Sequence, residues 1–344
     1  MVTAAGRVRG WRPRRHMDRR GVELAALIAL AGFLDLAAGT GLAYVAGLGQ
    51  VWSVLRHVSW PWLAVMAAAL CLSFAGYHRA YRGIYRAEGG YELPRRRLLA
   101  VVAVGFSGFF AHRGTSPDDL VLQQAGADAR ESVVRAMTLG GMEQAVLALA
   151  GCAASIIVLC LGLATPPLNA TLPWALIPVP AAILAWWAAA RYAPRLRCRT
   201  GWRGRLSVVL DSVRLTRHLL QRPLRHRLAL VGMFTFWAAE MFALWTGLAA
   251  FGFTMNGAAL VAGFCTGMVL TRRVAPLAGA GILTVVLTLA IWYSGAPLAV
   301  AVAGTYAYRA LTLWLPLPSA LFTLPGLRQM RKRSLDSRAA ASPL

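Results

Sequence analysis

Three stretches of this chain, residues 58–77, 144–190 and 274–308, contain no charged side chain at all. Soluble domains carry about one charged residue in four, so runs of this length and apolarity belong in hydrocarbon. They are apolar continuously rather than in alternation with polar residues, which argues against a membrane β-barrel. Helices are then the remaining way to satisfy the backbone inside a bilayer. The expected fold is all-α, a polytopic membrane helical bundle, and the composition agrees, with 58% hydrophobic and 14% charged residues.

Charge sets the topology. The net charge of +23 is almost entirely arginine, Lys332 being the sole lysine. The arginines sit between apolar spans, where they read as the positive-inside signal rather than as a nucleic-acid surface. No nucleic-acid partner is expected, although cytoplasmic arginines also attract anionic lipid headgroups. Seven arginines in residues 1–20 and eleven in residues 191–227 mark both segments as cytoplasmic, and the uncharged stretch 165–172 as external. The first apolar run is too long for a signal-peptide core and is read as a retained span. Spans are expected near 22–48, 60–77, 140–164, 172–190, 228–252 and 297–324. Residues 1–21 and 326–344 are basic tails. Both termini are expected in the cytoplasm, with the protein in the plasma (inner) membrane.

Two shorter apolar segments, 98–111 and 258–270, would reach only about 20 Å as helices, against about 30 Å of hydrocarbon. They carry Gly105-Phe106-Ser107-Gly108 and Gly263-Phe264-Cys265-Thr266-Gly267, and run into His112-Arg113 and Arg272-Arg273. Arg95–Arg97 and Thr138 fall on the same side by charge parity, so the first segment is expected to be re-entrant. The second, with 281–294, is either a hairpin entering from outside or two tilted spans, which would make eight spans in all. The hairpin is favoured, giving about six long spans plus two short re-entrant hairpins. Residues 22–164 and 172–324 then form an inverted repeat, an architecture shared by many transporters with a site at the midplane.

Arg309 is the only basic residue between Arg273 and Arg328. An arginine at the centre of a span costs about 2.5–3.5 kcal/mol on insertion scales, so it must face a bundle interior or a polar path. A phosphate headgroup suits it, because guanidinium grips phosphate with two parallel hydrogen bonds. Asp35 and Glu240 are the acids deepest in spans, and Glu143 lies near the start of one; Asp35 or Glu240 is expected to pair with Arg309 or to carry a coupling proton. His112, Arg113 and Gly114, with Asp118 and Asp119, form one hairpin tip; Arg272, Arg273, Gly279 and Gly281 form the other. Glycines there would let backbone N–H groups approach a phosphate. The pattern at 205–221 predicts an amphipathic helix on the inner leaflet. Cys71, Cys152, Cys160, Cys198 and Cys265 show no metal-ligand spacing. No nucleophile with a base is visible, so neither cofactor, metal nor enzymatic activity is expected.

The last third reads Pro276-Leu277-Ala278-Gly279-Ala280-Gly281, then Gly295-Ala296-Pro297, Tyr306-Ala307-Tyr308-Arg309 and Trp314-Leu315-Pro316; near the start, Trp60 opens a span closed by His78-Arg79-Ala80-Tyr81-Arg82. Over most of residues 22–325 the chain resembles the lysylphosphatidylglycerol synthase transmembrane, or flippase-like, family. The resemblance implies a membrane domain that moves phospholipid or polyprenyl-linked lipid between leaflets, without the soluble aminoacyl transferase of larger members. It also implies a Glu after the glycine turn where this chain has Thr284, and a Gly-Glu with a following Arg in the first hairpin, where this chain offers Gly114, Asp118 and Asp119. The alternative is a non-transporting membrane subunit that scaffolds a separate lipid-modifying enzyme.

Overall fold

The computed structural model describes residues 19–107, 117–196, 201–269 and 279–314. Among these there is helix and no strand. The helices are α1 (Arg19–Ala46), α2 (Leu48–Arg56), α3 (Trp60–Arg86), α4 (Arg95–Ser107), α5 (Pro117–Gln124), α6 (Ala129–Cys160) and α7 (Leu168–Leu176). They continue with α8 (Pro178–Leu196), α9 (Gly201–Gln221), α10 (Arg227–Ala250), α11 (Gly257–Gly267), α12 (Ile282–Tyr293) and α13 (Leu298–Arg309). Among the described residues five spans are long and apolar enough to cross a membrane: Ala26–Ala46, Trp60–Gly89, Ala129–Cys160, Leu168–Leu196 and Arg227–Ala250. The chain is a helical membrane bundle.

At its centre α3 and α10 lie antiparallel over their full length. The amide of Ser59, just before α3, donates to the carbonyl of Ala250 at the end of α10 (2.8 Å). Gly76 then faces Gly232 and Phe236, and Gly83 faces Ala229. These glycines bring the two backbones into contact: a Cβ at Gly76 would lie 2.7 Å from the Phe236 amide nitrogen, and one at Gly232 2.5 Å from that of Ala80. In lipid no hydrophobic force drives helices together, so small residues that permit this approach are what create the contact.

Two short excursions leave this pair. The first runs through α4 and α5 and comes back to its starting end, where the Tyr91 hydroxyl donates to Gly126 O (3.3 Å) and to Glu131 (2.9 Å). Leu98, Val101 and Val102 of α4 are buried in the main core. The second runs through α11 and α12, which pack antiparallel, Gly263 against Ser294 and Gly267 against Leu287. At 11 and 12 residues, these helices reach only about 16–18 Å. The first excursion opens at the C-terminal end of α3 and the second at the C-terminal end of α10. Since α3 and α10 are antiparallel, the two open at opposite ends of the bundle.

Three details depart from the expected outline. The segment after α1 is a short amphipathic helix, α2, whose Val51 packs with Leu42, Ala46, Ala299 and Val302; nine residues are too few to stand out from a loop in sequence. The span 172–190 is two helices, α7 and α8, broken near Pro173 and Pro178. The helix at 205–221 is present as α9, but its inward face is mixed, with Leu210 and Leu219 buried beside polar side chains. Ser207, Asp211, Ser212 and Thr216 are buried there, and Arg130 of α6 donates to Ser207 and Asp211 (both 2.8 Å). Trp202, Leu206 and Val209 are left exposed.

The end of α3 is tied by Arg135. Its Nη1 donates to the carbonyls of Ile84, Tyr85 and Ala87 (3.0–3.1 Å), while Nε and Nη2 hold Glu131 (3.0 and 2.8 Å). This fixes a tight turn in which Glu88 adopts φ 55, ψ 42, a left-handed conformation rarely taken by a non-glycine residue.

Candidate functional site

The site gathers on α13. Gly304, Tyr306, Tyr308 and Arg309 of this helix meet α10, α1 and α12. Arg309 is 1% exposed and has the largest of the fully buried side chains. Its Nε donates to Thr284 Oγ1 (3.2 Å), and the Thr284 hydroxyl donates onward to Asp35 Oδ1 (2.6 Å). The same carboxylate oxygen accepts the backbone N–H of Gly281 (3.0 Å). Asp35, from α1, thus caps the first turn of α12, where the open amides and the positive end of the helix favour a carboxylate.

Glycine makes this geometry reachable. Gly281 has φ 75, and a Cβ there would lie 3.0 Å from the Leu34 carbonyl, so α12 begins directly against α1. The Tyr306 hydroxyl donates to the backbone carbonyl of Asp35, and its ring occupies the space that a side chain at Gly39 would need. Gly32, Asp35, Leu36, Tyr306, Arg309 and Ala310 line a cavity of about 340 Å³ between α1 and α13. Leu36 on its rim is 69% exposed, so the cavity borders the apolar outer surface of α1.

Thr284 thus links Arg309 to Asp35. Glu240 is fully buried on α10, accepting from Ser73 (2.6 Å) and from the Tyr308 hydroxyl. Gly281 has its amide directed at Asp35, which removes that N–H from the set expected to meet a phosphate; Gly279, with φ 72, forms the turn ahead of it. His112, Arg113, Gly114, Arg272 and Arg273 lie outside the described residues. Asp118 accepts from the Tyr85 hydroxyl (2.8 Å), and Glu143 from the Tyr77 hydroxyl, with Trp237 Nε1 bonded to the Glu143 carbonyl (3.0 Å).

Those last bonds expose a pattern that sequence reasoning passed over. Ser73, Tyr77, Tyr81 and Tyr85 recur every fourth residue and so share one face of α3. Three of them donate to Glu240, Glu143 and Asp118, one acid from each of three other helices. The rings of Tyr77, Tyr81 and Tyr85 stack edge-on at 5.0 and 5.4 Å. Hydroxyl donors aimed at buried acids are what makes those acids tolerable in an apolar interior. The four-residue spacing was the available signal.

Replacing Asp35 with Ala is expected to lower stability by about 2 kcal/mol, because the Gly281 amide and the Thr284 hydroxyl lose a buried acceptor. Asp35→Asn keeps an oxygen for both and is expected to lose about half as much. Thermal unfolding of the detergent-purified variants checks the order.

Outside the spans, burial first and then His218 push the pKa of His226 below the usual imidazole value; Glu88 opposes this, and Arg225 and Arg222 add to it. No family model matches the chain, and no curated protein sequence matches it.

Proposed function

We propose that the chain is a flippase-like membrane protein that binds a lipid with an anionic headgroup between α1 and α13 and moves it between leaflets. The observation that carries the reading is a fully buried arginine on the wall of a cavity at the lipid-facing surface of α1. A volume of about 340 Å³ suits a headgroup-sized occupant. Arg309 would hold the phosphate, while exposed Phe33 and Leu36 on α1 leave the acyl chains in hydrocarbon. Asp35 would neutralise Arg309 through Thr284 when no headgroup is present. In this reading Asp35 supplies, from another helix, the carboxylate that the flippase-like resemblance puts near position 284. Arg272, Arg273, Gly279, Arg113 and His112 would add cationic or backbone contacts at the hairpin tips.

The opposite openings of the two excursions support a rocking of two inverted halves, 22–164 and 172–324, about α3 and α10. The test is translocation of fluorescent phosphatidylglycerol in vesicles reconstituted with the full chain. Arg309→Ala is expected to lower the rate by at least about tenfold, the cost of a lost charged hydrogen bond, while still inserting. An unchanged rate overturns the assignment. Lipid retained on the purified protein without movement in vesicles favours the scaffolding role instead.

A further inference from the structure

We propose that Glu88, His218 and His226 form a binding site for a divalent transition-metal ion, of which Zn²⁺ is the best fit, clamping the end of α3 to the α9–α10 connection. One ligand atom from each residue lies within 4.8 Å of the others. His218 Nε2 is 2.6 Å, and His226 Nε2 4.0 Å, from Glu88 Oε1. Around a tetrahedral zinc with bonds near 2.0–2.1 Å, neighbouring ligand atoms sit about 3.4 Å apart. The two separations bracket that value, so small side-chain rotations complete the geometry. Two imidazoles and one carboxylate are a donor set of catalytic and open zinc sites, and magnesium or calcium would prefer oxygen alone.

Two observations distinguish this cluster from a surface ion pair. First, His226, 7% exposed, buries its Nε2 without a hydrogen-bond partner among the described residues, while His218 Nε2 meets only the Glu88 carboxylate. A buried polar atom in the condition of His226 Nε2 calls for an explanation, and a coordinated ion supplies one. Second, Glu88 takes its left-handed conformation directly after the Tyr85 and Ala87 carbonyls that the Arg135 clasp holds. Strain of this kind persists where the surroundings over-determine it, and it gathers at ligand clamps. Glycine would fit the turn without strain, as it does next door at Gly89, φ 72, yet the position carries a carboxylate.

The surroundings favour a cation on one side and oppose it on the other. Asp128, Glu131 and Asp211 join Glu88 around a cavity of about 620 Å³ that also holds Arg130, Arg214 and His218. Four of the chain's 13 acids therefore meet at one place in a molecule of net charge +23. Arg86 and Arg225 line the smaller cavity beside His226 and will weaken the site relative to a neutral pocket. Sequence spacing gives no hint of the cluster, because the two histidines flank a turn and the glutamate comes from a distant loop.

The test uses the full chain in detergent, stripped with EDTA and titrated with Co²⁺ as a visible stand-in for zinc. About one Co²⁺ per chain is expected, with the absorption bands of low coordination number that Zn²⁺ then bleaches and Mg²⁺ does not. His218→Ala and His226→Ala are each expected to weaken binding by about 100-fold or more. Glu88→Gly is the decisive variant, since it relieves the backbone and removes only the carboxylate. It should fold at least as well as the parent and lose the rise in melting temperature that Zn²⁺ gives the parent. Absence of the bands in the parent, bleaching by Mg²⁺ as readily as by Zn²⁺, or parent-like bands in Glu88→Gly overturns the proposal.

Discussion

Gly232→Leu is expected to abolish recovery of folded protein. The contact it disrupts is backbone on backbone: the new Cβ would sit 2.5 Å from Ala80 N and 2.7 Å from the Gly76 carbonyl. A flexible side chain could turn aside, but two helix backbones cannot separate locally without lifting α3 from α10 along its length. Overpacking in a compliant core costs about 1–3 kcal/mol, and here the obstacle is rigid, so about 4 kcal/mol or more is expected. The control is Gly41→Leu or Gly49→Leu, where nothing lies within 4 Å. Those variants should elute from size-exclusion chromatography like the parent, whereas Gly232→Leu should aggregate. A monodisperse Gly232→Leu protein with the parent melting temperature would refute the close seam.

Arg135→Ala is expected to be the second most damaging change, at about 3–5 kcal/mol. The guanidinium serves three carbonyls at the end of α3 and, through Nε and Nη2, one carboxylate oxygen of Glu131. Hydrogen bonds from a charged donor are worth about 1.5–3 kcal/mol each, and they do not add in full. The ion pair with Glu131 contributes least, because Glu131 is 36% exposed and solvent screens it. Arg135→Lys keeps the charge but cannot span three carbonyls and a carboxylate together, so it should recover less than half of the loss. Urea or thermal unfolding of the two variants, beside the parent, reads the difference.

The parts legible from sequence were those announced by a break in composition. Arg309 and Asp35 each stand almost alone in an apolar run, which marked both as internal. Their connection was not legible. It passes through Thr284, an ordinary residue for a helix, and joins α1 to α12 and α13 across most of the chain. The helices of the bundle followed from length and apolarity, while α2 was too short to register. The Gly76–Gly232 seam was hidden because a glycine in an apolar helix reads the same whether it faces lipid or another backbone. Arg135 was lost among many arginines, most of them explained by topology, and only its carbonyl partners set it apart.

The antiparallel α3–α10 pair has an electrical consequence. Each helix carries the equivalent of about half a charge at either end, and side by side in opposite directions these poles cancel. A transmembrane voltage therefore exerts almost no net force on the central seam. Its work, about 2.3 kcal/mol per elementary charge per 100 mV, would fall on side chains such as Arg309 that carry a whole charge. The paired backbone at the core of this molecule is electrically balanced, and any response to voltage resides in the charged groups packed around it.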